Sequence, residues 1–203
     1  MIKRTLADFR NRLTGHRVIV CGCGESLNEF EGKPQLFTIG VNDVGRRFAP
    51  DYLVVVNKRE EFAPERWRYV VESDAIYLFT CYDLPLPYLF KPTTINFQLG
   101  ERSGTDLASD DSLPYTSNSP YVALCLAAFM GASEIGLIGV DFSENHFFAQ
   151  DGPHTLNRQL KRIDGEYRAL GDALKEKGVQ VVNLSARSKL TAFEKMTIEE
   201  FSK

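Results

Sequence analysis

Short apolar runs alternate with amphipathic stretches along most of the chain. The runs, several of them rich in β-branched residues, lie near residues 17–21, 36–41, 52–56, 75–79, 134–140 and 179–183, with a weaker one at 94–97. Apolar residues at helical spacing predict helices over 2–13, 62–71, 119–130 and 156–177, and a short helix from 197. This alternation predicts an α/β fold of three layers, Rossmann-like, with helices on both faces of a mainly parallel sheet.

Polar residues or glycines follow the carboxyl ends of the predicted strands. Right-handed crossovers bring these ends to one edge of a parallel sheet. Ligands of such folds bind at that edge, where the strand order reverses. We therefore expect a ligand rim that includes Gly22, Gly24, Asn42, Asp43, Asn57, Asp141 and Asn183.

The loop after the first strand is the main candidate for phosphate binding. Gly22 and Gly24 end the run, and a short helix is predicted to begin near Ser26. Free N–H groups at a helix start attract phosphate, and a glycine lets the ligand approach the backbone. The third glycine of the dinucleotide fingerprint and the Gly-Lys-Ser/Thr of a P-loop are absent. A plain tight turn is the alternative, and the predicted nucleotide contacts are Gly22, Gly24, Glu25 and Ser26.

Further polar residues are predicted to complete this nucleotide site. Asn42 and Asn57 end strands, where they could contact a ribose or a base, or simply form turns. Ser117, Asn118 and Ser119 precede Pro120 at the start of a helix. A helix start suits a second anion contact, although capping of the helix would explain the same residue types.

Asp141, His146 and His154 are the candidate catalytic residues. Asp141 follows a buried strand and could orient a sugar hydroxyl, hold Mg²⁺ through phosphates, act as a base, or cap the next segment. The two histidines lie on the loop that follows. A histidine pKa of about 6.5 suits proton transfer, but a solvated loop histidine is the alternative for each. The sequence leaves open which histidine is the base.

Residues 98–117 contain many Gly, Ser, Thr and Asp residues with little periodicity. We predict a mobile loop here that becomes ordered when ligand binds, because such a composition offers few apolar contacts. The 203 residues suit one nucleotide-binding domain.

Composition and charge narrow the range of partners. The chain is 43% hydrophobic and 25% charged, with a net charge of −3, which favours neither nucleic acid nor an anionic membrane as a partner. Neither a membrane span nor a signal peptide is predicted, so we expect a cytoplasmic protein. Homo-oligomerisation stays open. The cysteines do not pair into a zinc pattern and are expected to be free thiols: Cys21, Cys23, Cys81 and Cys125.

Three sequence segments together resemble one group of proteins. Gly22-Cys-Gly-Glu-Ser-Leu27 resembles the Gly-x-Gly-Pro-Ser-Leu loop of small bacterial sialyltransferases, which use CMP-sialic acid. Motility accessory factor and archaeal hydroxymethylpterin diphosphokinase-like proteins share that loop. Thr116-Ser-Asn-Ser119 is similar to their Thr-Ser-Gly helix start, and Glu134–Phe142 to their strand ending in Gly-x-Asp-Phe. Glu25 replaces the family proline, and Ser143 and Glu144 stand where the sialyltransferases have two phosphate-binding tyrosines.

The resemblance implies a nucleotide-dependent transferase, with a glycosyltransferase using a CMP-sugar and a carbohydrate acceptor as the favoured case. Asn42 then matches a nucleotide-binding asparagine, and His146 or His154 a lid histidine. One alternative is a Mg²⁺-dependent diphosphokinase acting on a pterin-like alcohol, with Asp141 as a metal ligand; otherwise no metal is expected. A second alternative is a non-catalytic nucleotide or sugar-phosphate binding module, because 203 residues leave little room for an acceptor domain.

Overall fold

A sheet of eight parallel strands forms the centre of the protein. A computed structural model describes residues 4–32, 35–143, 145–149 and 155–203. The strand order is β10-β9-β8-β1-β2-β3-β4-β5, and a separate parallel pair joins β6 to β7. The strands are β1 Arg17–Cys21, β2 Phe37–Val41, β3 Tyr52–Val55, β4 Tyr77–Thr80, β5 Thr93–Asn96, β6 Gln98–Arg102, β7 Ser112–Tyr115, β8 Glu134–Ile138, β9 Gln180–Asn183 and β10 Glu194–Lys195.

Helices cover both faces of the sheet. The α-helices are α1 Pro64–Val71, α2 Ser119–Phe129, α3 Leu160–Glu176 and α4 Ile198–Phe201. Two separate hydrophobic clusters result, one containing side chains of α2 and α3 and the other side chains of α1 and α4. The predicted three-layer α/β fold with a mainly parallel sheet is confirmed. Short 3₁₀ helices connect these elements at Leu6–Phe9, Glu25–Glu29, Val44–Arg46, Arg59–Glu61 and Thr155–Gln159.

Helix α2 lies against the middle of the sheet and is apolar on nearly all sides. Asn118 caps it by accepting a hydrogen bond from the Tyr121 N–H, and Pro120 fits the first turn because proline has no N–H to satisfy there. Gly131, with φ +83°, ends the helix. Helix α2 has eleven residues, which are too few to span a membrane. Within the described ranges, none of the helices combines the length and apolarity needed to cross a bilayer.

The prediction of a helix over residues 2–13 is wrong. Within the described part, a single 3₁₀ turn at Leu6–Phe9 is followed by turns, with Asn11 at φ +59°. The apolar side chains that suggested a helix, Leu6, Phe9 and Leu13, are nevertheless buried against the sheet. The spacing of apolar residues in this short segment therefore predicted correctly which side chains are buried, but it did not predict the backbone conformation.

Residues 98–117 contain more regular structure than their composition indicated, because β6 and β7 lie within them. Arg10 holds the intervening segment: its guanidinium donates to the carbonyls of Leu107, Ala108 and Ser109 and to the carboxylate of Asp110. Two further hydrogen bonds reach the start of this segment, from the Tyr121 hydroxyl to the Gly104 carbonyl and from the Ser103 hydroxyl to Glu166. The ordering of this segment by a ligand stays a prediction.

We predict that Arg10→Ala loosens the segment between β6 and β7. The substitution removes four hydrogen bonds from a half-buried guanidinium, and we expect a loss of about 1 kcal/mol in the free energy of unfolding. Limited proteolysis should then cleave faster within residues 103–111. Arg68→Ala, which removes only an exposed pair with Glu72, is the control and should leave the cleavage rate unchanged. Equal cleavage in all three proteins would show that Arg10 does not hold this segment.

Candidate functional site

A cleft of about 430 Å³ opens at the carboxyl ends of the central strands. The chain leaves β1 toward β2 on one side, and β8 pairs with β1 on the other, so the strand order reverses here. This is the position at which open α/β sheets bind ligands. The cleft walls come from the end of β2, from residues after β1, β2, β3 and β8, from α1, from the start of α2 and from the 3₁₀ segment at Thr155–Gln159. The lining residues are Cys23, Gly24, Val41, Asn42, Asn57, Arg66, Ser117, Asn118, Ser119, Pro120, Gly139, Val140, Asp141, Phe142, Ser143, Asn145, His146 and Leu156.

The chains leaving β1 and β8 touch each other at the base of the cleft. The N–H of Gly22 donates to the Ile138 carbonyl, and that of Gly24 to the Gly139 carbonyl. A Cβ on Gly22 would lie 2.3 Å from the carbonyl oxygen of Gly139, and a Cβ on Gly24 2.6 Å from the carboxylate of Asp141. The glycines are thus required by contact between two strand ends. Gly24 has φ −72°, so a left-handed backbone conformation is not what requires glycine at this position.

Ser26 and Asp141 lock this junction. The backbone N–H of Ser26 donates to one carboxylate oxygen of Asp141 at 2.7 Å, and its hydroxyl donates to the other at 2.6 Å. The same hydroxyl accepts from the Gly139 N–H at 2.9 Å. Both side chains are essentially fully buried. All of these groups have partners, so the network satisfies the polar atoms that it buries.

This network engages several groups of the predicted phosphate loop. The N–H groups of Gly22, Gly24 and Ser26 already donate within the protein, and the Ser26 hydroxyl lies behind the cleft wall. Glu25 points to Arg187 in a surface ion pair at 3.0 Å. The helix at Glu25–Glu29 is a 3₁₀ segment of five residues. These residues therefore have a structural role, and Gly24 alone of the four lines the cleft. Their direct contact with a nucleotide stays a prediction.

Three other predicted residues do converge on the cleft. The Ser119 hydroxyl donates to the Asn57 side-chain oxygen at 2.9 Å and lies 3.5 Å from that of Asn42. Asn42 has φ +53°, a left-handed conformation that asparagine tolerates better than most residues. Strained backbone clusters at functional sites, and Phe142, also on the cleft, has φ +50°. Side chains from three separate elements thus form one polar cluster.

Asn118 and Ser117 lie on the cleft but are held by the protein. The Asn118 side-chain oxygen accepts from the Tyr121 N–H and from the Tyr167 hydroxyl, which fixes the start of α2. Ser117 accepts a hydrogen bond from Arg162 at 2.9 Å. Capping, the alternative considered for this segment, accounts for Asn118.

His146 is placed at the cleft by its backbone. Its main chain bridges to Gly24 in antiparallel fashion, and the next N–H, of Phe147, donates to the Cys23 carbonyl. The imidazole stacks against the Phe148 ring at 5.2 Å. His154 lies outside the described residues, so its placement stays a prediction. Asp141 shares the cleft with His146, but Ser26 engages both of its carboxylate oxygens, which favours a positioning role over that of a base.

Arg66 is a cleft residue that sequence reasoning missed. It projects from α1 and makes a two-point ion pair with the buried carboxylate of Asp43. In the sequence, Arg66 is one of several charges in an amphipathic helix, which is typical of a solvated face. The available signal was Asp43 at a predicted strand end, since a buried carboxylate needs a cation.

Cys23 lines the cleft as a neutral thiol. Burial, reinforced by the neighbouring Asp43 carboxylate, raises the pKa of the Cys23 thiol far above its usual value. The thiol donates weakly to the Val41 carbonyl and to Asp43. A thiolate nucleophile is therefore disfavoured here. All four cysteines are free thiols, and the described residues contain no cluster of three or more metal-ligating side chains.

The fold is similar to that of solved glycosyltransferases. A MAf glycosyltransferase from Magnetospirillum magneticum AMB-1 matches 96% of this chain with a TM-score of 0.61 at 14% identity, and this chain spans only 37% of that protein's chain. The sialyltransferase CstII from Campylobacter jejuni, in complex with CMP, matches 90% of this chain and 85% of its own, with a TM-score of 0.52 at 12% identity. The sialyltransferase CST-II in complex with CMP and a trisaccharide acceptor matches this chain with a TM-score of 0.51 at 14% identity. The match covers 89% of this chain and 85% of the CST-II chain.

At these identities the likeness establishes the fold. No family of protein sequences matches the chain, and no curated protein sequence matches it either.

We predict that Ser26→Ala destabilises the protein. The change leaves the buried Asp141 carboxylate short of one donor and the Gly139 N–H without an acceptor, which should lower the free energy of unfolding by about 2 kcal/mol. Ser143→Ala is the matched control, because the buried Ser143 hydroxyl lines the cleft and has no hydrogen-bond partner among the described residues. Urea denaturation should show a shifted midpoint for the first variant and none for the second. Equal midpoints would mean that the Ser26–Asp141 bond does not stabilise the junction.

Proposed function

We propose that the protein is a nucleotide-dependent glycosyltransferase that binds a nucleotide-activated sugar in the cleft after β1, β2, β3 and β8. One observation carries the proposal: Asn42, Asn57 and Ser119 converge from three elements on a cleft at the switch point of the sheet. Amide and hydroxyl groups of this kind bind ribose and base edges well. Solved structures with a similar fold include glycosyltransferases.

A CMP-sugar is the favoured donor and a carbohydrate the favoured acceptor. The similar sialyltransferase structures contain CMP, and one contains a trisaccharide acceptor. In our proposal Asn42 and Asn57 contact the nucleoside, and Ser119 holds their amide groups in position. Asp141 keeps the junction of β1 and β8 rigid, so that the cleft walls need little reorganisation when the donor binds.

His146 is proposed as the residue that accepts the proton of the acceptor hydroxyl. Its imidazole lies at the cleft and packs against an aromatic ring, while its backbone is bonded to the loop after β1. A positioned imidazole suits general base catalysis near neutral pH. His154 stays the alternative base.

We predict that the protein binds CMP more tightly than UDP or ATP. We also predict that Asn57→Ala weakens CMP binding about tenfold or more, because a ligand hydrogen bond is lost and Ser119 loses the nearer of its two acceptors. Titration calorimetry with CMP, CDP, UDP and ATP plus Mg²⁺ measures both effects. Asn96→Ala, on the exposed edge strand β5, is the control and should bind as the parent does.

The same titrations can reject the proposal. A failure of all four nucleotides to bind the parent protein would exclude a nucleotide site. Preferential binding of ATP that requires Mg²⁺ would favour the diphosphokinase instead.

Once an acceptor is found, we expect His146→Ala to lower turnover roughly a hundredfold while CMP affinity stays within about twofold, because the imidazole acts on the acceptor hydroxyl. His16→Ala is the control, since His16 precedes β1 at the opposite edge of the sheet and packs on Phe37. His154→Ala tests the alternative base. Full turnover in both His146→Ala and His154→Ala would exclude both histidines as the base and would leave a transferase that relies on metal and positioning alone.

A further inference from the structure

We propose that Arg66 binds the phosphoryl group of the nucleotide and that Asp43 holds its guanidinium in place for this task. The inference rests on the proposed function and names the group that gives the cleft its preference for a nucleotide over a nucleoside. Among the described residues that line the cleft, Arg66 is the only lysine or arginine.

The position of Arg66 is fixed by a buried carboxylate. Its Nε donates to one oxygen of Asp43 at 3.0 Å and its Nη2 to the other at 2.5 Å. The Asp43 side chain is completely buried, whereas about a quarter of the Arg66 side chain remains exposed. A two-point contact of this kind sets both the place and the plane of the guanidinium.

Aromatic packing restrains the same group. The Phe148 ring lies 5.3 Å from the Arg66 guanidinium and 4.0 Å from that of Arg46. Arg46 also reaches the Asp43 carboxylate, at 3.5 Å, so two guanidinium groups share one buried acid. The imidazole of His146 stacks on the same Phe148 ring. The arrangement places a preorganised cation beside the candidate base.

This geometry suits phosphate better than a neutral ligand group. A guanidinium recognises phosphate oxygens through paired N–H groups. The attraction between the guanidinium and the phosphate is stronger where water is partly excluded. The remaining cleft residues supply mainly amides, hydroxyls and apolar groups, together with an Asp141 carboxylate already bound by Ser26. A ligand with a nucleoside on Asn42 and Asn57 and a phosphate on Arg66 would use both kinds of group.

A purely structural role for Arg66, as the counter-charge of Asp43, makes a different prediction. Loss of Arg66 would then affect all ligands of the cleft equally. Since Arg46 also contacts Asp43, an Arg66 variant retains one cation on the buried carboxylate. Urea denaturation of each variant checks that it folds before binding is measured.

The experiment compares CMP with cytidine by calorimetry in the parent and in Arg66→Gln, Arg66→Lys and Arg68→Gln. Arg68 is the matched control, since it lies on the same helix in an exposed pair with Glu72. We expect Arg66→Gln to weaken CMP binding about tenfold or more, while the affinity for cytidine stays within about twofold of the parent. The same variant should reduce the salt dependence of CMP binding. Arg66→Lys, which keeps the charge without the planar fork, should lie between Arg66→Gln and the parent.

The outcomes separate the two proposals. A parent that binds neither ligand contradicts the proposed function and the inference with it. A parent that binds CMP, together with an Arg66→Gln variant that keeps the same ratio of CMP to cytidine affinity, overturns the inference alone. That result covers both unchanged binding and equal weakening of the two ligands.

Discussion

The contact between the chains leaving β1 and β8 is the constraint on which the site depends. Gly22 and Gly139 approach so closely that neither position has room for a Cβ. The Ser26–Asp141 hydrogen bonds close the same junction from the buried side. Because these strands are neighbours at the switch point of the sheet, the junction fixes the floor of the cleft. The segment containing His146 is then bonded to the loop after β1.

The cleft therefore combines a rigid floor with polar walls from independent elements. Asn42 and Asn57 follow β2 and β3, Ser119 begins α2, and Arg66 projects from α1. Each is held by another group: Ser119 bonds Asn57, and Asp43 bonds Arg66. Sites whose side chains are fixed by their neighbours lose little entropy on binding, so modest numbers of contacts can give useful affinity. This is the physical basis of the proposed nucleotide site.

The sequence predicted the sheet well because buried parallel strands are continuous apolar runs. β1 has the predicted bounds, and four residues of the predicted rim line the cleft, namely Gly24, Asn42, Asn57 and Asp141. Gly22, Asp43 and Asn183 of that rim do not line it. The role of Ser26 and Asp141 was hidden, since their bond joins residues 115 positions apart. Arg66 was missed for the same reason, because its partner Asp43 lies on another element. β6 and β7 escaped prediction because their composition is typical of loops.

A crystal structure of the protein with CMP tests the central claim most directly. Our account predicts CMP in the cleft, with its nucleoside hydrogen-bonded to Asn42 or Asn57, its phosphate on Arg66, and the Ser26–Asp141 bond unchanged beneath it. CMP bound at another surface, or a phosphate seated on the amides of Gly22 to Ser26 after the Ser26–Asp141 bond has broken, would contradict it.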